Sequence, residues 1–165
     1  MRPTTPSSPS PIRGFTLVET LITLGIVAIL MSLGLPYMKN AILTQQVKNA
    51  VSDLHFSLVH ARSEAIKRNA NVTLTPTGTW NDGWSVLSGA TTLKTQDSFP
   101  NLTITGPVGS VTYQRNGRPA AAVTDFQVSV SGNTAVTMRC VSIGANGVPH
   151  TTIDSDSNPT NGCTP

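Results

Sequence analysis

Residues 13–37, RGFTLVETLITLGIVAILMSLGLPY, constrain this chain more than any other stretch, because residues 17–35 carry a single ionisable side chain, Glu19. A helix rises about 1.5 Å per residue, so roughly 20 apolar residues reach across a bilayer core. The run therefore predicts one membrane-spanning helix near the start of the chain, and no later stretch is comparable. Glu19 is costly in that setting: insertion scales put a carboxylate at mid-bilayer at about 2.5–3.5 kcal/mol. A place near the membrane surface would relieve the cost. The residues just upstream point instead to a partner.

Those residues, Arg13-Gly14-Phe15-Thr16-Leu17-Val18-Glu19, resemble the processing site of type IV prepilins. The resemblance implies cleavage by a prepilin peptidase between Gly14 and Phe15, with N-methylation of Phe15. It also implies a partner for Glu19, the new α-ammonium on Phe15 of a neighbouring subunit, an opposite-charge pair in a low-dielectric helix bundle. Pro36, the 22nd residue counted from Phe15, falls where pilins carry a helix-kinking proline.

Residues 1–14 are rich in Pro, Ser and Thr and contain no apolar core. A secretory signal would place its apolar region before the cut; here it follows the cut and stays with the mature chain. Arg2 and Arg13 ahead of the span favour a cytoplasmic N-terminus and a periplasmic remainder. Lys39 and Lys48 on the far side weaken that signal without reversing it. The formal charge of +3 rests partly on this leader, since losing Arg2 and Arg13 leaves nine basic residues against eight acidic ones. The basic pI is thus a poor guide to partners.

Beyond Pro36 the pattern predicts an amphipathic helix over 39–69. Leu43, Val47, Val51, Leu54, Leu58, Ala61 and Ala65 recur at steps of three or four and form one apolar stripe. Lys67 and Arg68 suit the negative pole at its end. The run His60-Ala61-Arg62-Ser63-Glu64-Ala65-Ile66-Lys67-Arg68-Asn69 is similar to one found in FimT-type minor pilins and GspH-type pseudopilins, and Trp80-Asn81-Asp82-Gly83-Trp84 resembles their W-x-x-G-W segment.

The second half reads as short strands over 71–75, 84–87, 91–95, 102–105, 110–115, 126–131 and 135–143. They are rich in Val, Thr and Ile and separated by Gly, Pro and Asn. Ser131-Gly132-Asn133 and Asn146-Gly147 look like hairpin turns. Trp80 and Trp84 read as packing rather than as a ligand box. Cys140 and Cys163, the only cysteines, suggest a disulfide in an extracytoplasmic domain. His55 and His60 lie on different faces of the helix and His150 stands alone. No metal site, cofactor or catalytic constellation is expected, and the chain does not read as an enzyme.

The expected fold is α+β and pilin-like: a long N-terminal helix, half membrane and half amphipathic, packed on a small antiparallel β-sheet head. Its segments are a leader (1–14), a transmembrane and assembly helix (15–38), an amphipathic helix (39–69) and a periplasmic β-rich head (70–165). The resemblance implies a minor pilin or pseudopilin, single-pass in the bacterial inner membrane, that polymerises through its N-terminal helix. Its expected partners are other pilins or pseudopilins, the prepilin peptidase and the inner membrane. The alternative is a DNA-binding minor pilin for DNA uptake, whose family motif is Gly-Arg-x-Arg. The best-matching place here, Gly147-Val148-Pro149-His150, lacks both arginines. Arg115 and Arg118 are the remaining candidate DNA contacts, and a solvated turn is the plainer reading of them.

Overall fold

The computed structural model describes residues 14–156, 158 and 161–164, and of residues 33–37 the backbone alone. The expected leader thus lies, but for Gly14, outside the described residues. The chain divides into two compact units, residues 1–38 and 39–165. One helix, α1 (Leu17–Arg68), contributes to both. It is continuous through Pro36, whose side chain, and with it the expected kink, lies outside the described residues.

In the first unit the apolar side chains of α1 are exposed on every side. Leu17, Val18, Leu21, Ile22, Leu24 and Ile26, which together go round the helix, are between 53% and 75% exposed. A helix apolar all round requires cover from lipid or from other helices. Among the described residues no helix is long and apolar enough to cross a membrane. The apolar run has described side chains only as far as Ser32, short of the roughly 20 residues a span needs.

In the second unit the expected stripe is the helix's contribution to the core: Val47, Val51, Leu54, Leu58, Ala61 and Ala65 are buried, with Leu43 packed against them. Ala50, one turn from Val47 and Leu54, is buried as well. The helix stops at Asn69, a non-glycine residue at φ 51°. Its N–H donates to the Ile66 carbonyl, and the Ala70 N–H donates to that of Ala65, both at 3.2 Å. This is a Schellman closure with Asn in the left-handed position, and it satisfies two of the last carbonyls.

The strands are β1 (Val72–Pro76), β2 (Trp84–Ser88), β3 (Thr91–Gln96), β4 (Thr103–Thr105), β5 (Val111–Tyr113), β6 (Phe126–Ser129), β7 (Arg139–Ile143) and β8 (Pro149–Ile153). They form two antiparallel sheets rather than one, ordered β3-β2-β1-β5 and β4-β6-β7-β8. Alternation assigns the faces: Val72 and Leu74, Trp84 and Val86, Val111 and Tyr113, and Phe126 and Val128 are buried, while the residues between them are only partly so. Leu74 sits opposite Val86 on one side and Val111 on the other.

Two expectations need correction. Residues 135–138 are not strand: Val136 and Met138 are buried, but within the connection that leads into β7. And β8, absent from the expected strands, pairs with β7 through the Asn146-Gly147 turn, placing Cys140 opposite Thr152.

The segment Trp80–Trp84 joins the sheets. A 3₁₀ turn (Trp80–Asp82) leads into β2 of the first sheet, while the Asn81 amide donates to the Leu102 carbonyl and its Oδ1 accepts the Ile104 N–H of β4 at 2.6 Å. Trp80 stands edge-on to Phe126 of β6 at 4.8 Å and donates its indole N–H to the Pro107 carbonyl at 2.9 Å. Gly83, at φ 92°, has no room for a Cβ, which would fall 2.1 Å from the Gln96 carbonyl oxygen. The motif's residues are thus spent on packing.

Candidate functional site

Two regions hold the residues singled out above, one in each unit. The first is the start of α1. Gly14, Phe15 and Thr16 are exposed and non-helical, and Phe15 is 81% exposed. Helical hydrogen bonding begins at Thr16, whose hydroxyl accepts the Glu19 N–H at 3.2 Å and whose carbonyl accepts the Thr20 N–H at 3.2 Å. Thr16 is therefore the N-cap and Glu19 the third helical residue, the spacing of a capping box. A carboxylate in the first turn also faces the positive end of the helix dipole. Glu19 thus has a local reason to be where it is, independent of the expected intermolecular pairing. Its side chain is exposed.

The second region is the end of α1 with two turns of the head. Arg62 donates through Nε to the Gly117 carbonyl at 3.0 Å and through Nη2 to the Asn146 carbonyl at 3.5 Å. The turns so gripped touch each other. Gly147, at φ 80°, lies so close to the first turn that a Cβ would fall 1.9 Å from the Gly117 carbonyl oxygen. Gly117, at φ 75°, sits beneath Ile66, whose Cδ1 would be 2.7 Å from a Cβ there. Only glycine permits both the left-handed backbone and the approach.

One turn further along, Glu64 accepts from Arg68 Nε at 2.5 Å and from Lys67 Nζ at 3.3 Å. The Arg68 hydrogen bond holds the Glu64 carboxyl below its ordinary range; burial opposes this, and Lys67 reinforces it. Tyr113, fully buried, has its phenol pushed up to about 12 by burial, with Arg62 pulling the other way.

Arg115 and Arg118 occupy the Gln114–Arg118 turn and are exposed, with no hydrogen bond or ion pair from either guanidinium among the described residues. Beyond the adjoining turn, Val148 is half-buried and His150, in β8, is exposed. Arg62 lies outside the apolar stripe of α1. It is instead the clamp that brings these turns together, through partners 55 and 84 residues away. The available signal was its place in the Ala61–Asn69 run.

Cys140, on β7, is bonded to Cys163, with Cα atoms 6.1 Å apart. The tail is also held by Asp154, 2% exposed, whose Oδ1 accepts the Thr164 N–H at 2.7 Å and hydroxyl at 3.1 Å. Among the described residues no group of His, Cys, Asp and Glu is placed to hold a metal ion.

A family model described as type II transport protein GspH matches residues 50–147, and one described as the prokaryotic N-terminal methylation motif matches residues 10–35. Two crystal forms of the type IV minor pilin FimU of Pseudomonas aeruginosa are similar to the chain. One is 24% identical over 71% of this chain and 99% of that one, with a TM-score of 0.56; the other is 23% identical over 73% and 96%, with a TM-score of 0.59. That likeness carries the fold. No curated protein matches the chain.

Proposed function

The chain belongs to the GspH family of type II transport proteins, and within that family we propose a minor pilin-like structural subunit, cut after Gly14, N-methylated on Phe15 and polymerised through its N-terminal helix. The filament is a type IV pilus or a type II secretion pseudopilus, and the unassembled subunit is anchored in the inner membrane with its head in the periplasm.

One observation carries the reading. Within the stretch matched by the methylation motif, an exposed non-helical Gly14-Phe15 bond is followed at once by a helix whose apolar side chains are exposed on every side. A peptidase needs accessible backbone free of helical hydrogen bonding, which Gly14-Phe15 supplies. An apolar helix without cover needs either lipid or its own kind. Before assembly lipid covers it; afterwards the same residues of neighbouring subunits do. Glu19 is the exception to the apolar surface. Cleavage generates a cation, the Phe15 amine, that offsets the cost of its carboxylate.

Substituting Glu19→Ala tests this. The variant should partition into the inner membrane as the parent does, since removing a carboxylate only eases insertion. Its share of sheared filaments should drop by about tenfold or more, the equivalent of roughly 1.4 kcal/mol per subunit contact. Parental incorporation would refute the pairing, leaving Glu19 a first-turn capping residue.

A further inference from the structure

Where β7 and β8 face α1, a groove is lined by Lys48, Ser52, His55 and Phe56 of the helix and by Arg139 and Thr151 of the strands. We propose that it is a docking site for an acidic protein segment that sets an apolar side chain beside its carboxylates.

The groove carries charge of one sign. Arg139 is half-buried, yet among the described residues its guanidinium has neither a hydrogen bond nor an ion pair, and the Lys48 ammonium has none either. The Nδ1 of His55 is shut off from solvent and also lacks a partner. A half-buried guanidinium free of protein partners presents a planar fork that fits a carboxylate with two parallel bonds. No acid lines the groove. The one acid on the neighbouring turn of α1, Asp53, lines a different groove beside Gln46, Asn49 and Phe99.

Phe56, 63% exposed and edge-on to the His55 ring at 6.0 Å, lines the same groove. An exposed phenyl sharing a groove with two unpaired cations matches a ligand that carries both carboxylate and apolar groups. It matches a nucleic-acid backbone less well, since that draws its affinity from a row of phosphate neutralisations. The inference stands whether or not the chain assembles into a filament.

Fluorescence anisotropy of the full chain in detergent, with a fluorescein-labelled Gly-Glu-Phe-Glu-Gly peptide, tests it. The peptide should bind. Arg139→Gln and the exposed Lys48→Gln should each weaken binding about tenfold or more, Arg115→Gln should leave it unchanged, and unlabelled Gly-Gln-Phe-Gln-Gly should not compete. The Lys48 variant, at an exposed position of the groove's rim, keeps the test meaningful should Arg139→Gln unfold. Four results would each overturn the proposal: no binding at about 1 mM peptide, equal competition by the glutamine peptide, equal loss in Arg115→Gln, or displacement of the peptide by a duplex oligonucleotide at lower concentration.

Discussion

Arg62 reaches from the helix to carbonyls on two turns that share no sequence neighbourhood, Gly117 and Asn146. Hydrogen bonds to a charged group contribute about 1.5–3 kcal/mol each. Arg62→Met, which keeps the aliphatic stem, should therefore cost about 2 kcal/mol in chemical unfolding, and amide exchange should quicken at the Gly117 and Gly147 turns before it does elsewhere in the head. An unchanged midpoint would remove Arg62 from that role. Beside it, the Tyr113 hydroxyl is buried without a hydrogen-bond partner. Its phenol binds its proton more tightly in the folded chain, at about 12, than when unfolded. Above the ordinary tyrosine range, about pH 10, the unfolded chain ionises first, so stability falls between there and about pH 12. Tyr113→Phe should flatten that alkaline loss and leave neutral-pH stability equal or higher, because a buried unsatisfied hydroxyl is a cost. A steeper alkaline loss in the variant would contradict this. Glu64 works at the opposite end of the scale: its lowered carboxyl contributes fully above the ordinary carboxylate range, and that contribution fades as pH falls through the folded value.

Among the elements, α1's amphipathic half was the most legible. Its stripe from Leu43 to Ala65 repeats at the helical period, and a buried face imposes that period whatever it packs against. The strands were legible in place but not in partnership. In 135–138 the alternation of Val136 and Met138 reports burial, which a connection provides as readily as a ladder. In β8 the signal is missing for the converse reason: an outer strand opening on Pro149, with His150 and Thr151 exposed and Ile153 54% exposed, has little apolar face to display. The link between the two sheets rests on Asn81 and Trp80 reaching β4, Pro107 and Phe126, contacts that no local pattern encodes. The disulfide was legible from cysteine count and compartment, but the Asp154 grip on Thr164 was not. Reducing Cys140–Cys163 should cost on the order of 3 kcal/mol in the chain-entropy model. Exchange protection should fall first in the segment after β8, while β1 and β2 stay protected. Simultaneous loss in both sheets would show that the bond holds the head as a whole.

For the molecule as a whole, the account divides the labour between the two units. The first presents an apolar helix with one carboxylate at its start, and the second is a cross-linked head whose core is closed within itself. The leader and the cut after Gly14 are read from local sequence alone, which is all that a peptidase reads and all that a single chain displays. The filament is a property of many chains, so a partner for Glu19 comes only through the resemblance, and the Lys48–Arg139 groove had no signal in the sequence. Everything in the assembly reading depends on the Phe15 amine existing. Intact-mass measurement of the protein purified from its native membrane decides that most directly. The account predicts a chain that begins at Phe15, shortened by residues 1–14 and heavier than that fragment by one methyl group. A native chain that retains its leader, or is cut anywhere other than after Gly14, would contradict it.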